Sequence, residues 1–359
     1  MKKFLKKAVA VLSFVACSGT VCNISVNDVS AATAERRQML MGDIDGSGST
    51  TISDAICLAN YLKGVGYLNN YQLTQADINE DGIIDMADVQ HIQGIGINLY
   101  PAATTKTKVI YSISESKEMS YCGYDYENKK NIKEYKLNFT TANTNQSDDT
   151  PMLYSEDIRD TGNYNVPILN FDDGSYASGL IVDNHVIATA AHCVYNNGKF
   201  VDNITVRWEA ISPMEMKVKQ VHIPVAYKED GNAANGKYDY ALIYVEDDLS
   251  NYKPWSIGIA ATEFSKTQKD LTISGHANHN GVARYYNTGK MLYNDTTRIR
   301  SENIPYFGKY GGVTYYNNEE YGVKTAVGIA TGSTDSSSVW SVKFTPDMLY
   351  FYKNNPNLK

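Results

Sequence analysis

Residues 42–98 contain one twelve-residue pattern twice, and this repeat constrains the fold more than any other feature of the 359-residue chain. The second copy begins at Asp77, 34 residues after the first copy begins at Asp43. Both copies place oxygen-bearing side chains at positions 1, 3, 5 and 12 and a glycine at position 6. Calcium is a hard cation that takes six or more oxygen ligands, and the glycine allows the sharp turn that gathers them. The repeat therefore predicts two calcium-binding loops.

The position of each residue in the pattern assigns its role as a ligand. The first loop would use Asp43, Asp45, Ser47, the Ser49 carbonyl, Thr51 and Asp54. The second loop would use Asp77, Asn79, Asp81, the Ile83 carbonyl, Asp85 and Asp88. Position 12 is aspartate in both loops rather than the glutamate of an ordinary EF-hand, and the sequence indicates no helix before either loop. The alternative is two acidic turns without metal, which two copies in register disfavour.

Apolar residues at helical spacing follow each loop and predict helices over residues 55–62 and 89–95. This loop–helix repeat resembles a type I dockerin over the whole of residues 42–98. The resemblance implies a calcium-dependent fold holding two Ca²⁺ ions, with a cohesin domain of a scaffold protein as partner. In that family the cohesin is selected largely by loop positions 10 and 11, which are here Ile52, Ser53, Met86 and Ala87. The two copies differ there, which leaves open whether both faces bind equivalently.

The N-terminus has the features of a secretory signal peptide. Four lysines within the first seven residues precede an apolar stretch over residues 8–16. The small residues at 29–31 offer a cleavage site, with Ala32 or Ala34 as alternatives. The apolar stretch is too short for a stable membrane anchor, and no second candidate span follows. The sequence therefore predicts a signal peptide over residues 1–31 and a secreted, extracellular protein, with a lipid-modified Cys17 as the weaker alternative.

The formal net charge of −7 makes this an acidic protein, which argues against nucleic acid as a partner. Two of the five cysteines, Cys17 and Cys22, would leave with the signal peptide. Because Cys57, Cys122 and Cys193 remain, at least one thiol is unpaired. A Cys122–Cys193 disulfide is one arrangement that secretion would allow.

The rest of the chain divides by composition. Residues 99–107 are rich in threonine and alanine, lack periodicity and predict a linker. Residues 108–154 are polar with two weak strand patterns, and they predict a connector or pro-region, or else an additional β-hairpin. Regular strand patterns occupy residues 155–359. Together with the twenty-eight tyrosines of the chain, these patterns favour an all-β fold there.

Three motifs in residues 155–359 carry the groups of a nucleophilic hydrolase. His192 follows two apolar strands and opens a short helical turn, a placement that suits a general base. Asp239 opens an apolar strand, where a buried carboxylate would orient the imidazole and stabilise its charged form. The third motif is the glycine-rich turn at 308–313, in which backbone N–H groups can converge on an oxyanion. The residue at the nucleophile position of this turn is Tyr310.

These motifs, in this order, resemble the trypsin-like serine proteases with two β-barrels, and in particular the bacterial glutamyl endopeptidases. The matching segments are residues 178–181 and 189–193 for the histidine region, 239–242 for the aspartate region, 306–313 for the nucleophile region and 327–329 for the strand after it. The resemblance implies that His192 is the general base, Asp239 its orienting carboxylate and Gly308 the glycine of the oxyanion hole. It also implies a peptide or protein as substrate or ligand.

The chain departs from this family at two positions. Tyr310 stands where the family has serine, and Ala330 stands where the glutamate-preferring enzymes have histidine. A tyrosine is too long to place its oxygen where the serine oxygen belongs, and an acyl-tyrosine gains little as an intermediate because phenolate leaves easily. A displaced nucleophile is the alternative, although no other serine lies between oxyanion-type glycines. The candidates are Ser301, Ser333 and the serines at 336–338.

The sequence thus predicts a small all-α calcium-binding dockerin at residues 42–98 and an all-β, double-barrel trypsin-like domain at residues 155–359. Two functions compete for the second domain. A pseudoprotease that binds peptides without cutting them follows from Tyr310. An active serine endopeptidase follows from the family resemblance. Either one would be attached through cohesin to a scaffold of the cellulosome type or at the cell surface.

Overall fold

The structure is a computed structural model, and it describes residues 22–23, 33–63, 68–110, 118–138, 166–208, 215–230, 236–252, 256–260, 270–278, 282–295, 297–302, 310–333 and 338–358. The predicted signal peptide lies outside these residues except for Cys22–Asn23. Within the described ranges, no helix has both the length and the apolar character that crossing a membrane requires.

The calcium module, residues 42–98, is a small helical unit. In chain order the elements in and around it are β1 (Cys22–Asn23), β2 (Thr33–Leu40), α1 (Ile52–Leu62), α2 (Asn70–Ala76), β3 (Ile83–Ile84), α3 (Met86–Gly96) and β4 (Thr105–Ile110). Helices α1 and α3 face each other across a core that includes Leu58, Leu73 and Ile92, each at most 2% exposed. Burying each of these side chains contributes roughly 1.5–3 kcal/mol to the stability of this small unit.

Both repeat helices begin three residues earlier than the apolar pattern indicates. Thr51 and Asp85, at position 9 of their loops, accept a hydrogen bond from a backbone N–H of the first helical turn and cap α1 and α3. In each case the position-12 aspartate completes a capping box, since its side chain accepts from the backbone of the capping residue. The last residue of each metal loop is therefore also part of a helix terminus.

Two sequence expectations about this module are wrong. A helix does precede the second loop, because α2 ends at Ala76, next to Asp77. The capping box of Asn69 and Gln72 starts this helix, which is too short for its apolar spacing to predict it. The segment at 99–107 is not wholly a linker either. Its last residues belong to β4, which pairs antiparallel with β2 from Leu40↔Thr105 to Glu35↔Ile110, so the chain leaves the module beside the strand by which it entered.

Part of the segment at 108–154 forms a β-hairpin. Strands β5 (Glu118–Asp125) and β6 (Lys130–Asn138) pair antiparallel, and β5 also pairs with a strand of the first barrel, with Val221 opposite Tyr124. These residues therefore extend the sheet of the barrel domain, residues 155–359. Residues 111–117 and 139–154 of this segment lie outside the described ranges.

The first barrel-like sheet carries the histidine and aspartate motifs. Its strands run in the order β8-β7-β13-β14-β15-β10-β9, with β5 on the side of β14. The elements of this half are β7 (Ile168–Phe171), β8 (Tyr176–Ser178), β9 (Leu180–Asp183), β10 (Val186–Thr189), α4 (Ala191–Val194), β11 (Tyr195–Asn196), β12 (Lys199–Phe200), β13 (Ile204–Arg207), β14 (Met216–Pro224), α5 (Val225–Glu229), β15 (Ala241–Val245) and a 3₁₀ turn at Ser250–Tyr252.

The second sheet closes on itself, because β22 pairs with both β21 and β23. Its strands run in the order β16-β22-β21-β18-β19-β20-β23. The elements of this half are β16 (Ser256–Ile257), β17 (Ile259–Ala260), β18 (Asp270–Asn278), β19 (Val282–Asn294), β20 (Arg298–Ser301), β21 (Val313–Asn318), β22 (Val323–Gly332), β23 (Val339–Lys343) and α6 (Pro346–Lys353). Two barrel-like sheets with few helices form the double β-barrel that the sequence predicts.

An apolar cluster joins the hairpin, the two barrels and the last helix. Tyr121 of β5 stacks on Phe351 of α6 with ring centroids 4.1 Å apart, and both side chains are buried. Leu242 of the first sheet and Ile329 of the second belong to the same cluster. The hairpin, the two barrels and the last helix therefore share one continuous apolar core.

The calcium module packs against the second barrel. Strand β3, at positions 7 and 8 of the second loop, pairs antiparallel with β17. Ile83 is completely buried in a cluster with Leu271, Ile299 and Val327. The module and the barrel domain are thus in direct contact through the second loop.

Candidate active site and calcium loops

His192 and Asp239 meet at the rim of the first sheet. His192 lies on α4, directly after β10, and Asp239 lies two residues before β15, the strand that pairs with β10. Asp239 Oδ2 lies 2.8 Å from His192 Nδ1, and Asp239 Oδ1 accepts from the His192 backbone N–H at 2.9 Å. The aspartate is completely buried. Because a carboxylate only accepts, this arrangement places a proton on Nδ1 and leaves Nε2 for the cleft.

Burial and two neighbouring groups shift the pKa of His192 in opposite directions. Burial opposes protonation, but the charges of Cys193 and Asp239 outweigh it and raise the pKa of His192 well above its ordinary value. The side chain is 24% exposed, so a substrate group can reach the ring. The structure thus brings the predicted base and its predicted orienting carboxylate within hydrogen-bond distance, and their catalytic roles stay predictions. Sequence reasoning missed the contact of Cys193, whose Sγ lies 3.5 Å from His192 Nε2.

Tyr310 also lies against His192. Its ring meets the His192 ring edge to face, with centroids 5.9 Å apart. Burial raises the pKa of the Tyr310 phenol, partly offset by His192, so the phenol keeps its proton at neutral pH. Gly308, predicted as the oxyanion-hole glycine, lies outside the described residues, and its role stays a prediction.

The turn that carries Tyr310 is fixed to both barrels through Ser178. The Ser178 backbone N–H donates to the Tyr310 carbonyl at 3.0 Å, and its own carbonyl accepts from Thr189 Oγ1 at 2.8 Å. The Ser178 hydroxyl accepts from the His276 backbone N–H of the second barrel at 2.7 Å. Gly311 follows with φ +79°, a left-handed conformation that favours glycine. The position of Tyr310 is therefore set by backbone contacts.

The described alternative serines, Ser301, Ser333 and Ser338, lie in or beside strands of the second sheet. Ser301 is completely buried at the end of β20. Ser333 donates its hydroxyl to the Ser338 carbonyl at 2.5 Å. Ser336 and Ser337 lie outside the described residues. The described geometry gives neither Ser301 nor Ser333 a contact with His192.

The two calcium loops repeat the same internal hydrogen bonds. In the first loop Asp54 Oδ1 accepts from the Ile44 N–H at 2.7 Å, and in the second Asp88 Oδ1 accepts from the Ile78 N–H at 3.0 Å. Gly48 and Gly82, at position 6, have φ +87° and +81° and donate their N–H to the position-1 aspartates. The predicted sharp turn is therefore present in both copies.

The donor set of both loops fits a calcium ion. Carboxylate oxygens of Asp43, Asp45 and Asp54 lie within 4.8 Å of one another. Among the described residues, Asp43 Oδ1 and Asp77 Oδ1 are buried without a hydrogen-bond partner, and they occupy the same position of the two loops. Burial and the neighbouring Asp81 raise the pKa of Asp77 to about 7. A bound cation would offset this cost, since it pairs with each buried carboxylate.

The other predicted ligands are placed as follows. Ser47 and Ser49 lie on the exposed side of the first loop, where Ser47 Oγ lies 3.2 Å from the Ser49 carbonyl. Thr51 and Asp85 cap the two helices. In the second loop the Asn79 side chain accepts from the Asp81 N–H, and the Asp81 side chain accepts from the Ile83 N–H. All twelve predicted ligand positions thus lie in two compact loops.

The predicted partner-binding positions differ between the copies. Ile52 is 45% exposed and Ser53 beside it is exposed, whereas Ala87 is completely buried and Met86 is half-buried. The second loop instead contacts the barrel domain. Asn318 Nδ2 donates to Asp81 Oδ2 at 2.9 Å, and Thr325 Oγ1 donates to Asp85 Oδ2 at 2.5 Å. These partners are more than two hundred residues apart in the sequence, and no local pattern indicates them.

Comparison with known proteins follows the same division of the chain. Residues 41–93 match the family model of the dockerin type I domain, and residues 155–333 match that of trypsin. Among solved structures, the chain is similar to a Glu endopeptidase in complex with MPD, with 20% identity and a TM-score of 0.46, over 54% of this chain and 91% of that one. It is also similar to the thermostable serine protease AL20, with 14% identity and a TM-score of 0.42, over 53% of this chain and 95% of that one. No curated protein sequence matches the chain.

The turn at Gly311 gives a prediction with a matched control. An added Cβ at Gly311 would collide with Thr189 Oγ1 and the Ser178 carbonyl, whereas Gly174 has nearly the same φ, +81°, and nothing within 4 Å. We expect Gly174→Ala to lower the free energy of unfolding by about 1 kcal/mol. Gly311→Ala should lower it by about 3 kcal/mol or more, because overpacking adds to the backbone strain. Urea unfolding followed by tryptophan fluorescence measures both. Equal effects of the two substitutions would contradict the packing described for the turn.

Proposed function

Since the chain contains a dockerin type I domain and a trypsin-type domain, we propose that it is a secreted component of a cohesin-bearing scaffold whose protease-fold domain is impaired as a serine endopeptidase. The observation that carries this proposal is Tyr310, which stands in the nucleophile turn with its ring against His192. The cleft would bind a peptide or protein ligand. An ordinary serine acyl-enzyme would not form there.

The chemistry supports an impaired site with its other parts retained. Without its nucleophile, a catalytic triad loses nearly all of its rate acceleration. The Tyr310 phenol stays protonated at neutral pH and would not replace the serine, since a tyrosine is too long to place its oxygen where the serine oxygen belongs. His192 and Asp239 nevertheless keep the distances of a working base and its orienting group. An active serine endopeptidase is therefore the second candidate, favoured by this intact pair.

Restoring the serine tests the proposal directly. We expect Tyr310→Ser to raise the hydrolysis of a mixed peptide library by at least about a hundredfold over the wild-type protein, because base and carboxylate are already in place. Mass spectrometry of the products measures the cleavage.

The double variant Tyr310→Ser with His192→Ala is the control and should be silent. If the wild-type protein cuts at the rate of a normal serine protease, and a serine-directed fluorophosphonate labels it, the proposal fails.

The calcium module supplies the scaffold attachment, and we propose that it holds two Ca²⁺ ions. The ions would be held by the twelve predicted ligand residues. The supporting observations are the matched hydrogen bonds of the two loops and the buried, unpartnered oxygens of Asp43 and Asp77.

Calorimetric titration with Ca²⁺ tests the number of ions. We expect two ions per wild-type chain, and one ion per chain for either Asp43→Ala or Asp77→Ala, because each substitution removes the position-1 ligand of one loop. The exposed Asp173, which lies far from both loops in sequence, provides the control Asp173→Ala with two ions. A wild-type chain that takes up no calcium would refute this part of the proposal.

Cohesin would bind the first loop–helix unit. Ile52 and Ile56 expose 45% and 38% of their surface on α1, whereas Met86, the counterpart of Ile52, is half-buried and follows a strand that pairs with the barrel domain. Apolar side chains exposed on one helix face are typical anchors of an interface. The contact of the second unit with its own chain leaves the first unit as the free face.

Binding to a panel of recombinant type I cohesin domains tests this orientation. We expect Ile52→Asp to weaken binding at least about tenfold, since a charge replaces an apolar anchor. The helix itself should tolerate the change, because an aspartate suits its first turn. Leu292→Asp, at a side chain 54% exposed on the second barrel, is the matched control and should leave binding unchanged. Unaltered binding by Ile52→Asp, with calcium uptake intact, would exclude the first unit as the cohesin face.

A further inference from the structure

The imidazole of His192 links a carboxylate to a thiol. Its Nδ1 lies 2.8 Å from Asp239 Oδ2, and its Nε2 lies 3.5 Å from Cys193 Sγ. The Cys193 thiol is free, half-buried and packed against the apolar clusters of both barrels. A thiol, an imidazole and a buried carboxylate in this spatial order can act as a cysteine nucleophile, its general base and the group that orients the base.

We infer that Cys193 is the nucleophile retained at this site, and that it reacts with the carbonyl of a peptide or ester bound in the cleft. This inference rests on the proposed roles of His192 and Asp239, although it does not depend on Tyr310 being inert. The thiol belongs to the residue that follows His192 in the sequence, and not to the turn that carries Tyr310.

The reaction balances with groups that are present and water. His192 Nε2 takes the proton from Cys193 Sγ, and the thiolate forms a sulfur–carbon bond as the carbonyl becomes an oxyanion. Collapse of that oxyanion breaks the bond to the amine or alcohol, which leaves with the proton from Nε2, and a thioester remains on Cys193. Water then attacks the thioester while Nε2 accepts its proton. The thiolate departs with the release of the acid and takes the proton back.

The other thiols of the chain provide the contrast. Burial raises the pKa of the Cys57 thiol, as do the nearby carboxylates of Asp45 and Asp54, and burial raises that of Cys122. Among the described residues, no hydrogen bond joins either of these thiols to an imidazole. Cys57 is half-buried, as Cys193 is, so the two thiols differ chiefly in their neighbours. A protonated imidazole next to a thiolate stabilises the reactive form of the sulfur.

Few other titratable groups face this pair. Besides Asp239, the phenols of Tyr227 on α5 and Tyr310 on the turn interact with Cys193. Burial raises the pKa of both phenols, so both remain neutral across the pH range in which an imidazole and a thiol exchange a proton. Any change of thiol reactivity in that range therefore reports on Cys193 and His192.

Alkylation of the full-length protein with iodoacetamide tests the inference without requiring a natural substrate. The thiolate displaces iodide, and peptide mass spectrometry gives a separate rate for each cysteine. We expect Cys193 to react at pH 6 at least about tenfold faster than Cys57, its matched control within the same molecule. In His192→Ala the advantage should vanish, because the imidazole that would accept the thiol proton is gone.

A rate for Cys193 at pH 6 that is equal to or below that of Cys57 would overturn the inference, and this comparison requires no variant to fold. So would an unchanged Cys193 rate in His192→Ala, if its tryptophan fluorescence shows a native fold. Either result leaves the serine test at Tyr310 unaffected, so the two ideas fail separately.

Acyl transfer is measured in a second arm with p-nitrophenyl acetate. We expect a stoichiometric burst of p-nitrophenol and an added acetyl group on the peptide that contains Cys193. Cys193→Ala should lose both, whereas Cys57→Ala should keep both. An acetyl group on a serine or on Tyr310, in place of Cys193, would assign the nucleophile elsewhere and refute the inference.

Discussion

The buried carboxylate of Asp239 is the contact on which the active-site region depends. One of its oxygens holds the backbone of His192 and the other holds the imidazole, so a single side chain fixes both the helical turn and the direction of the ring. A carboxylate without solvent exposure is stable only when such donors replace its hydration. The same contact directs Nε2 toward Cys193 and the ring edge toward Tyr310. Base, thiol and phenol thus share one anchor at the rim of the first barrel.

The position of the turn that carries Tyr310 depends on Ser178, which contacts the second barrel. Its backbone holds the turn of Tyr310, and its hydroxyl accepts from the second barrel. Gly311 fits beside it only because it lacks a Cβ. The turn at position 310 is therefore held by backbone contacts that do not involve the side chain at that position. The side chain at position 310 can alter the chemistry of the site with little effect on its architecture.

Local features could be predicted from the sequence, and non-local ones could not. The spacing of oxygen-bearing side chains around a glycine located both calcium loops, because ligation within twelve residues is a property of the short segment itself. His192 and Asp239 were predictable because strand and turn patterns surround them. The contact of Asn318 with Asp81 could not be predicted, since no local sequence pattern around either residue indicates the other. Cys193 ends the segment that matches the histidine region, but its contact with His192 Nε2 depends on the ring orientation that Asp239 imposes.

The contact between the second calcium loop and the second barrel fixes the orientation of the calcium module relative to that barrel. A domain on a flexible tether explores a volume set by the length of its linker. Here hydrogen bonds from Asn318 and Thr325, a strand pairing and the buried Ile83 hold the second barrel at one angle to α1. If the module docks to a scaffold as proposed, neighbours that lie along this direction would meet the barrel domain at a high effective concentration. The order of subunits along such a scaffold would then help to determine what the barrel domain can bind.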